Sequence, residues 1–194
     1  MNKKGNVPTL VLEDGSVLNE NVAVLTWLSQ QGDGSLGYPQ GTPGYYRMLN
    51  ATAFIASELH STLGVLFYPV PSDEVRHASV SASSCTTGTQ QQARASRCMH
   101  VCWPQTKAFL KERAEGKLKK LDELFLKDTE YLAGDKLTVA DIYAYIVLSW
   151  LPHLELGPIS KYPSAEAYFE RVKALPNVQN AHERMATNPA KVLG

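Results

Sequence analysis

The sequence predicts a mostly α-helical protein that opens with a short β-β-α unit. Two apolar runs at 7–12 and 16–18 flank Glu13-Asp14-Gly15, and Asp-Gly between such runs is a hairpin signal. A helix-start pattern, Asn19-Glu20-Asn21, follows at once. From residue 43 onward, apolar residues recur at three- and four-residue spacing, the period of one helix face.

Each element has a local reason. Asn19 suits the N-cap of a helix over about 20–31, which ends in the glycine-rich "GDGSLGYPQGTPG". Pro43 stands where a first-turn proline is welcome, and Leu49, Ala53, Ala56, His60 and Leu63 form the expected inner face of a long helix. A third helix is expected over about 108–127, with Leu110, Ala114, Leu118, Leu121 and Phe125 as its stripe. In "KLTVADIYAYIVLSWL", Thr138 and Asp141 make a capping-box pattern, with Leu137 and Ile142 at the flanking staple positions. That helix is apolar nearly all round, so it belongs at the centre. Tyr162-Pro163 opens a further helix to about residue 174, and Pro176 begins the last. The expected domains are a small unit at 1–34 and a helical one at 43–194.

Composition excludes several classes. Nineteen basic residues balance nineteen acidic ones, which offers nothing to a nucleic acid or an anionic membrane. The longest apolar run, Ile142 to Leu148, falls well short of the ~20 residues that span a bilayer. No signal-peptide pattern opens the chain, and three cysteines without framework spacing favour a reducing compartment, so the expected location is the cytosol. Residues 77–106 contain five serines and all three cysteines but no Leu, Ile, Asp or Glu. By composition this stretch is expected to be a disordered insertion. A metal site from Cys85, Cys98, His100 and Cys102 is the alternative, although the spacing fits none of the usual zinc patterns.

Three stretches then carry a resemblance. "GNVPTLVLEDGSVLNENVAVLTWL" resembles the third strand, fourth strand and following helix of the thioredoxin-like glutathione-binding domain of cytosolic glutathione transferases. "IASELHSTLGVLFYPVPSDE" and "YLAGDKLTVADIYAYIVLSW" resemble two major helical segments of that family's all-α C-terminal domain. The Glu-Leu-His at 58–60 looks most like the bacterial beta class.

The resemblance implies a glutathione site at Val7, Pro8, Glu20, Asn21 and His60. In the family the Val-Pro bond is cis, and the residue before it exchanges main-chain hydrogen bonds with glutathione; taken alone, Pro8 reads equally as a strand-opening proline. Glu20 and Asn21 stand at a helix N-terminus, where open amides attract a carboxylate, although acids and Asn favour such positions anyway. Asn21 replaces a common Ser. His60 would face the glutathione sulfur, or else be a satisfied core histidine; Ser61 stands where beta-class relatives often carry Lys. Thr138 and Asp141 match the family's structural cap.

The family's preceding strand-helix-strand, with its thiol-activating Tyr, Ser or Cys, has no counterpart ahead of Val7. A truncated, catalytically impaired chain is therefore expected, with no catalytic residue named, and an incomplete gene model would account for both this and the 77–106 stretch. The expected function is conjugation of glutathione, as co-substrate without further cofactor or metal, to an electrophilic small molecule by a homodimer. The alternative is a non-catalytic dimerisation or interaction module.

Overall fold

The structure, a computed structural model, describes residues 2, 5, 7–67 and 107–187. The 77–106 stretch, with its cysteines and His100, lies outside them.

Strands β1 (Leu10–Val11) and β2 (Val17–Leu18) pair antiparallel, Leu10 opposite Leu18 and Val11 opposite Val17. The turn is built by Asp14, whose Oδ1 accepts from the Ser16 N–H at 2.9 Å and its hydroxyl at 2.6 Å, and by Gly15 at φ +80°. Both strands are shorter than expected, because Pro8 brings no N–H to a ladder and β2 is the single partner strand described. Helix α1 (Asn21–Leu28) follows directly. Its N-cap is Glu20 rather than Asn19, and it ends at Leu28 with Ser29 as C-cap.

A second, longer rod begins at α2 (Pro43–Phe54), where the Thr42 hydroxyl accepts from the Tyr45 N–H at 3.3 Å. It widens into a π-helical turn at Ile55–His60 and closes as α3 (Ser61–Val65). The wide turn moves the buried face. Met48, Ala51, Thr52, Ile55, Leu59 and Leu63 are buried, whereas Ala53 is exposed and His60 half-buried. The expected stripe thus runs along the flank of the true one, since an inserted residue per turn breaks the 3.6-residue period.

Helix α4 (107–120) continues into another π-helical segment, Leu121–Phe125. Here the expected stripe holds: Ala114, Leu118 and Leu121 are buried, and Phe125 stacks on Phe54 at 4.6 Å. Helix α5 (Val139–Leu148) is buried on nearly every side, packing against α1, α2, the Ile55–His60 turn and α6 (Pro163–Lys173). Helix α7 (Pro176–Thr187) packs on α6 and is joined to α5 by Tyr145 and His182, 2.8 Å apart. Among the described residues no helix is long and apolar enough to cross a membrane.

The start of α5 is the polar centre of this core. Asp141 and Thr138 are fully buried. The Asp141 carboxylate accepts from the Thr138 N–H (2.7 Å) and hydroxyl (2.8 Å), the Leu132 N–H (2.8 Å) and the Tyr168 hydroxyl (3.2 Å). Burial raises its pKa while these four donors pull it down. One carboxylate therefore ties α5 to α6 and to the 131–134 turn.

Candidate functional site

Ahead of β1 the Val7–Pro8 peptide bond is cis, and the Val7 side chain is 88% exposed. The hairpin then delivers the chain to the N-terminus of α1. Glu20 is extended at φ −105°, ψ 127° and caps α1 through its carbonyl, which accepts from the Val24 N–H at 3.0 Å; its side chain makes no cap bond. Among the described residues no acceptor meets the backbone N–H groups of Asn21, Val22 and Ala23. This helix end accordingly offers donors and the positive end of its dipole.

The Asn21 side chain lies near the hydroxyl of Tyr143, on the facing side of α5, and lowers its pKa. That hydroxyl also meets Nδ1 of His60 at 2.5 Å. His60 closes the π-helical turn, and its ring packs edge-on against Tyr143 (5.6 Å) and Trp150 (4.8 Å). Trp150 in turn contacts Phe67 edge-on at 5.4 Å. Glu58, two residues before His60, pairs with Lys117 of α4 and lies 3.9 Å from Lys120. The turn that holds His60 is thus anchored on both sides.

Burial lowers the pKa of His60 and raises that of Tyr143, the latter partly offset by the Asn21 amide. Both groups are therefore neutral near pH 7. Among the described residues no group of three or more His, Cys, Asp or Glu could hold a metal.

Of the five expected ligand residues, the structure brings Asn21 and His60 to the neighbourhood of the Tyr143 hydroxyl, which His60 hydrogen-bonds. Glu20 adjoins them at the helix end, and Val7 and Pro8 lie on the exposed arm before the hairpin. Tyr143 was missed by sequence reasoning, which took it for part of an apolar core helix. Its signal was a hydroxyl in a helix otherwise apolar all round, because a buried tyrosine hydroxyl needs a partner. Two cavities lie elsewhere. One of about 760 Å³ is lined by Arg47, Leu124 and Glu130 among others, and one of about 550 Å³ by Tyr145, Leu151 and Phe169. Neither includes an expected ligand residue.

The sequence profile of the glutathione S-transferase C-terminal domain matches residues 76–176, about half of the chain. The chain belongs to the glutathione S-transferase family. The glutathione S-transferase GstA of Escherichia coli O157:H7 is 29% identical over 182 residues, 93% of this chain and 74% of that protein. Two solved bacterial glutathione S-transferases align over both the β-β-α unit and the helices. A sphingomonad enzyme in complex with glutathione is 28% identical, covering 95% of this chain and 76% of its own, with a TM-score of 0.71. A beta-class enzyme from Sphingomonas chungbukensis is 30% identical, covering 93% and 74%, with a TM-score of 0.66. These relatives bear out the expected fold: a short thioredoxin-like part followed by the helical domain of a glutathione S-transferase.

Proposed function

We propose that this chain binds glutathione along the seam between α1 and α5, with residues 1–34 as the glutathione-binding unit and 43–194 as the helical domain. The observation that carries this reading is the open N-terminus of α1, whose Asn21 side chain lies beside the Tyr143 hydroxyl that His60 hydrogen-bonds. The α-carboxylate of the γ-glutamyl group would take the Val22 and Ala23 amides, and its ammonium would lie near the Glu20 carboxylate. A carboxylate at such a helix end gains about 0.3–1 kcal/mol from the dipole. Val7 would exchange main-chain hydrogen bonds with the cysteinyl residue, placing the sulfur towards His60. The family reaction follows: the thiol gives up its proton, the sulfur forms a bond to an electrophilic carbon, and a leaving group departs with its bonding electrons.

Calorimetry with glutathione tests this directly. Glu20→Ala and Asn21→Ala should each weaken binding by about tenfold, the worth of one hydrogen bond to a charged group. Wild-type affinity in both variants would refute the assignment. The family resemblance also supports a second copy of the chain as partner, through α1 and α2, where Leu28 and Tyr46 are exposed. Sedimentation at micromolar concentration should then show a dimer that Tyr46→Glu weakens; a wild-type monomer would end that idea.

A further inference from the structure

We propose that the cavity of about 550 Å³ between the end of α5, the stretch 149–159 and the end of α6 is a binding site for a hydrophobic monocarboxylate, whose carboxylate is taken by Lys173. The site shares no residue with the α1–α5 seam and does not rest on the glutathione reading.

The walls are Tyr145, Leu148, Leu151, Pro158, Ile159 and Phe169. Leu148 and Leu151 belong to the buried core, so the cavity reaches the main apolar body of the protein. Its volume falls in the range that takes small ligands. The two hydroxyls in the lining are already engaged. Ser149 donates to the Ile146 carbonyl at 2.7 Å, and the Tyr145 oxygen lies 2.8 Å from Nε2 of His182. An apolar body can therefore fill the interior without leaving a buried polar group unpaired. The wall is also held in shape from outside. Glu155 sits at φ 54°, the one non-glycine residue with a positive φ among the described residues. Such a backbone is unfavourable for a glutamate and persists where its surroundings fix it. Lys107 and Lys111 of α4 do so, meeting its carboxylate at 3.4 and 2.9 Å.

The charged groups choose the polar end of the ligand. Glu155 and Lys173 are the ionic residues of the lining. Glu155 already has two ammonium groups. Lys173 has one carboxylate, Glu170, which takes two of its three N–H groups at 3.1 and 3.2 Å. Lys161, against Gly157, is matched by Glu115 at 3.2 Å. Among the described residues the rim thus carries one positive charge more than it matches, and Lys173 has a hydrogen left to give. Its Nζ lies 5.9 Å from the centre of the Phe169 ring, at the edge of the apolar wall. A hydrophobic monocarboxylate meets both demands, with its chain along Leu148, Leu151 and Ile159 and its charge at Lys173. An amphiphilic cation would meet the surplus charge with the same sign.

Titration of the full chain with decanoate, followed by proton–nitrogen correlation spectra, tests the proposal. Saturable shifts should centre on the amides of residues 148–159 and 169–173. Octanoate, two methylenes shorter, should bind about tenfold more weakly. Decanol should bind about threefold more weakly than decanoate, as should decanoate to Lys173→Gln, the worth of a half-exposed ion pair. Ile159→Trp fills the cavity and should abolish binding. No saturable shift at millimolar decanoate would overturn the proposal, and so would shifts centred on residues 20–24 and 58–65, which would place the probe on the α1–α5 seam. Wild-type decanoate affinity in a folded Ile159→Trp would also overturn it. Should that variant fail to fold, the position of the shifts and the decanol comparison decide, and equal affinity for decanol and decanoate would remove Lys173 from the site.

Discussion

His60 is half-buried and Asp141 fully buried, and they behave oppositely with pH. Burial keeps the His60 ring neutral below the range where an unfolded chain's histidine, with a pKa of about 6.5, takes its proton. Between the two values the unfolded state binds more protons, so stability is fully present above about pH 6.5 and declines as pH falls through the folded value. Asp141, with its pKa raised, acts with the reverse sign in the window that opens above the ordinary carboxylate value. Comparing variants separates them. The urea midpoint of the wild type should fall between pH 7.5 and 5.5, and His60→Gln should fall less. Parallel pH profiles for the two proteins would mean that His60 is not held neutral by the fold. The residues themselves differed in how far they could be read from sequence. Glu20 and Asn21 announced a helix end because the signal is local. Tyr143 is 83 residues from His60, and no periodicity links the two.

At the scale of elements, the start of α5 shows why local signals suffice in some places. Thr138 and Asp141 are three residues apart, and the capping box they form is the one their spacing predicts. What the spacing does not reveal is the reach of Asp141 to Leu132 and Tyr168, which depends on where two other elements arrive. The two substitutions should therefore differ in cost. Thr138→Ala removes one cap hydroxyl, at about 1 kcal/mol. Asp141→Ala strands three buried donors on two elements, leaves the Tyr168 hydroxyl only the residue-141 carbonyl at 3.1 Å, and should cost about 3 kcal/mol or more. Urea denaturation of both variants checks the ranking, and equal losses would show that Asp141 does no more than cap its own helix. The π-helical turn at Ile55–His60 is the opposite case. A search for 3.6-residue periodicity assumes the very regularity that the turn breaks, so the sequence placed the inner face one residue away. That turn also carries His60, in keeping with the tendency of such insertions to sit at functional positions.

The whole molecule depends on how the β-β-α unit is joined to the helical body, and the joint is made by residues that composition alone marks as a loop. The Leu36 carbonyl accepts from the Val139 N–H at 2.9 Å, and the Tyr38 hydroxyl donates to Asp135 at 3.0 Å. Lys136 lies over the Tyr38 ring at 4.8 Å. This ring can lie flat only because Gly44, in the first turn of α2, has no side chain: a Cβ there would come within 2.4 Å of it. Gly44→Ala should thus displace Tyr38, at an overpacking cost of about 1–3 kcal/mol. The displacement would release the Asp135 and Lys136 contacts together, because all three groups share one ring. Since α1 is joined to the helical body by this loop, the effect should reach beyond stability. Hydrogen exchange at residues 29–42 should quicken, and glutathione affinity should fall even though no proposed ligand residue has changed. If exchange in the loop stays at the wild-type rate, the ring has moved without loosening the joint, and the link between Gly44 and the orientation of α1 is broken.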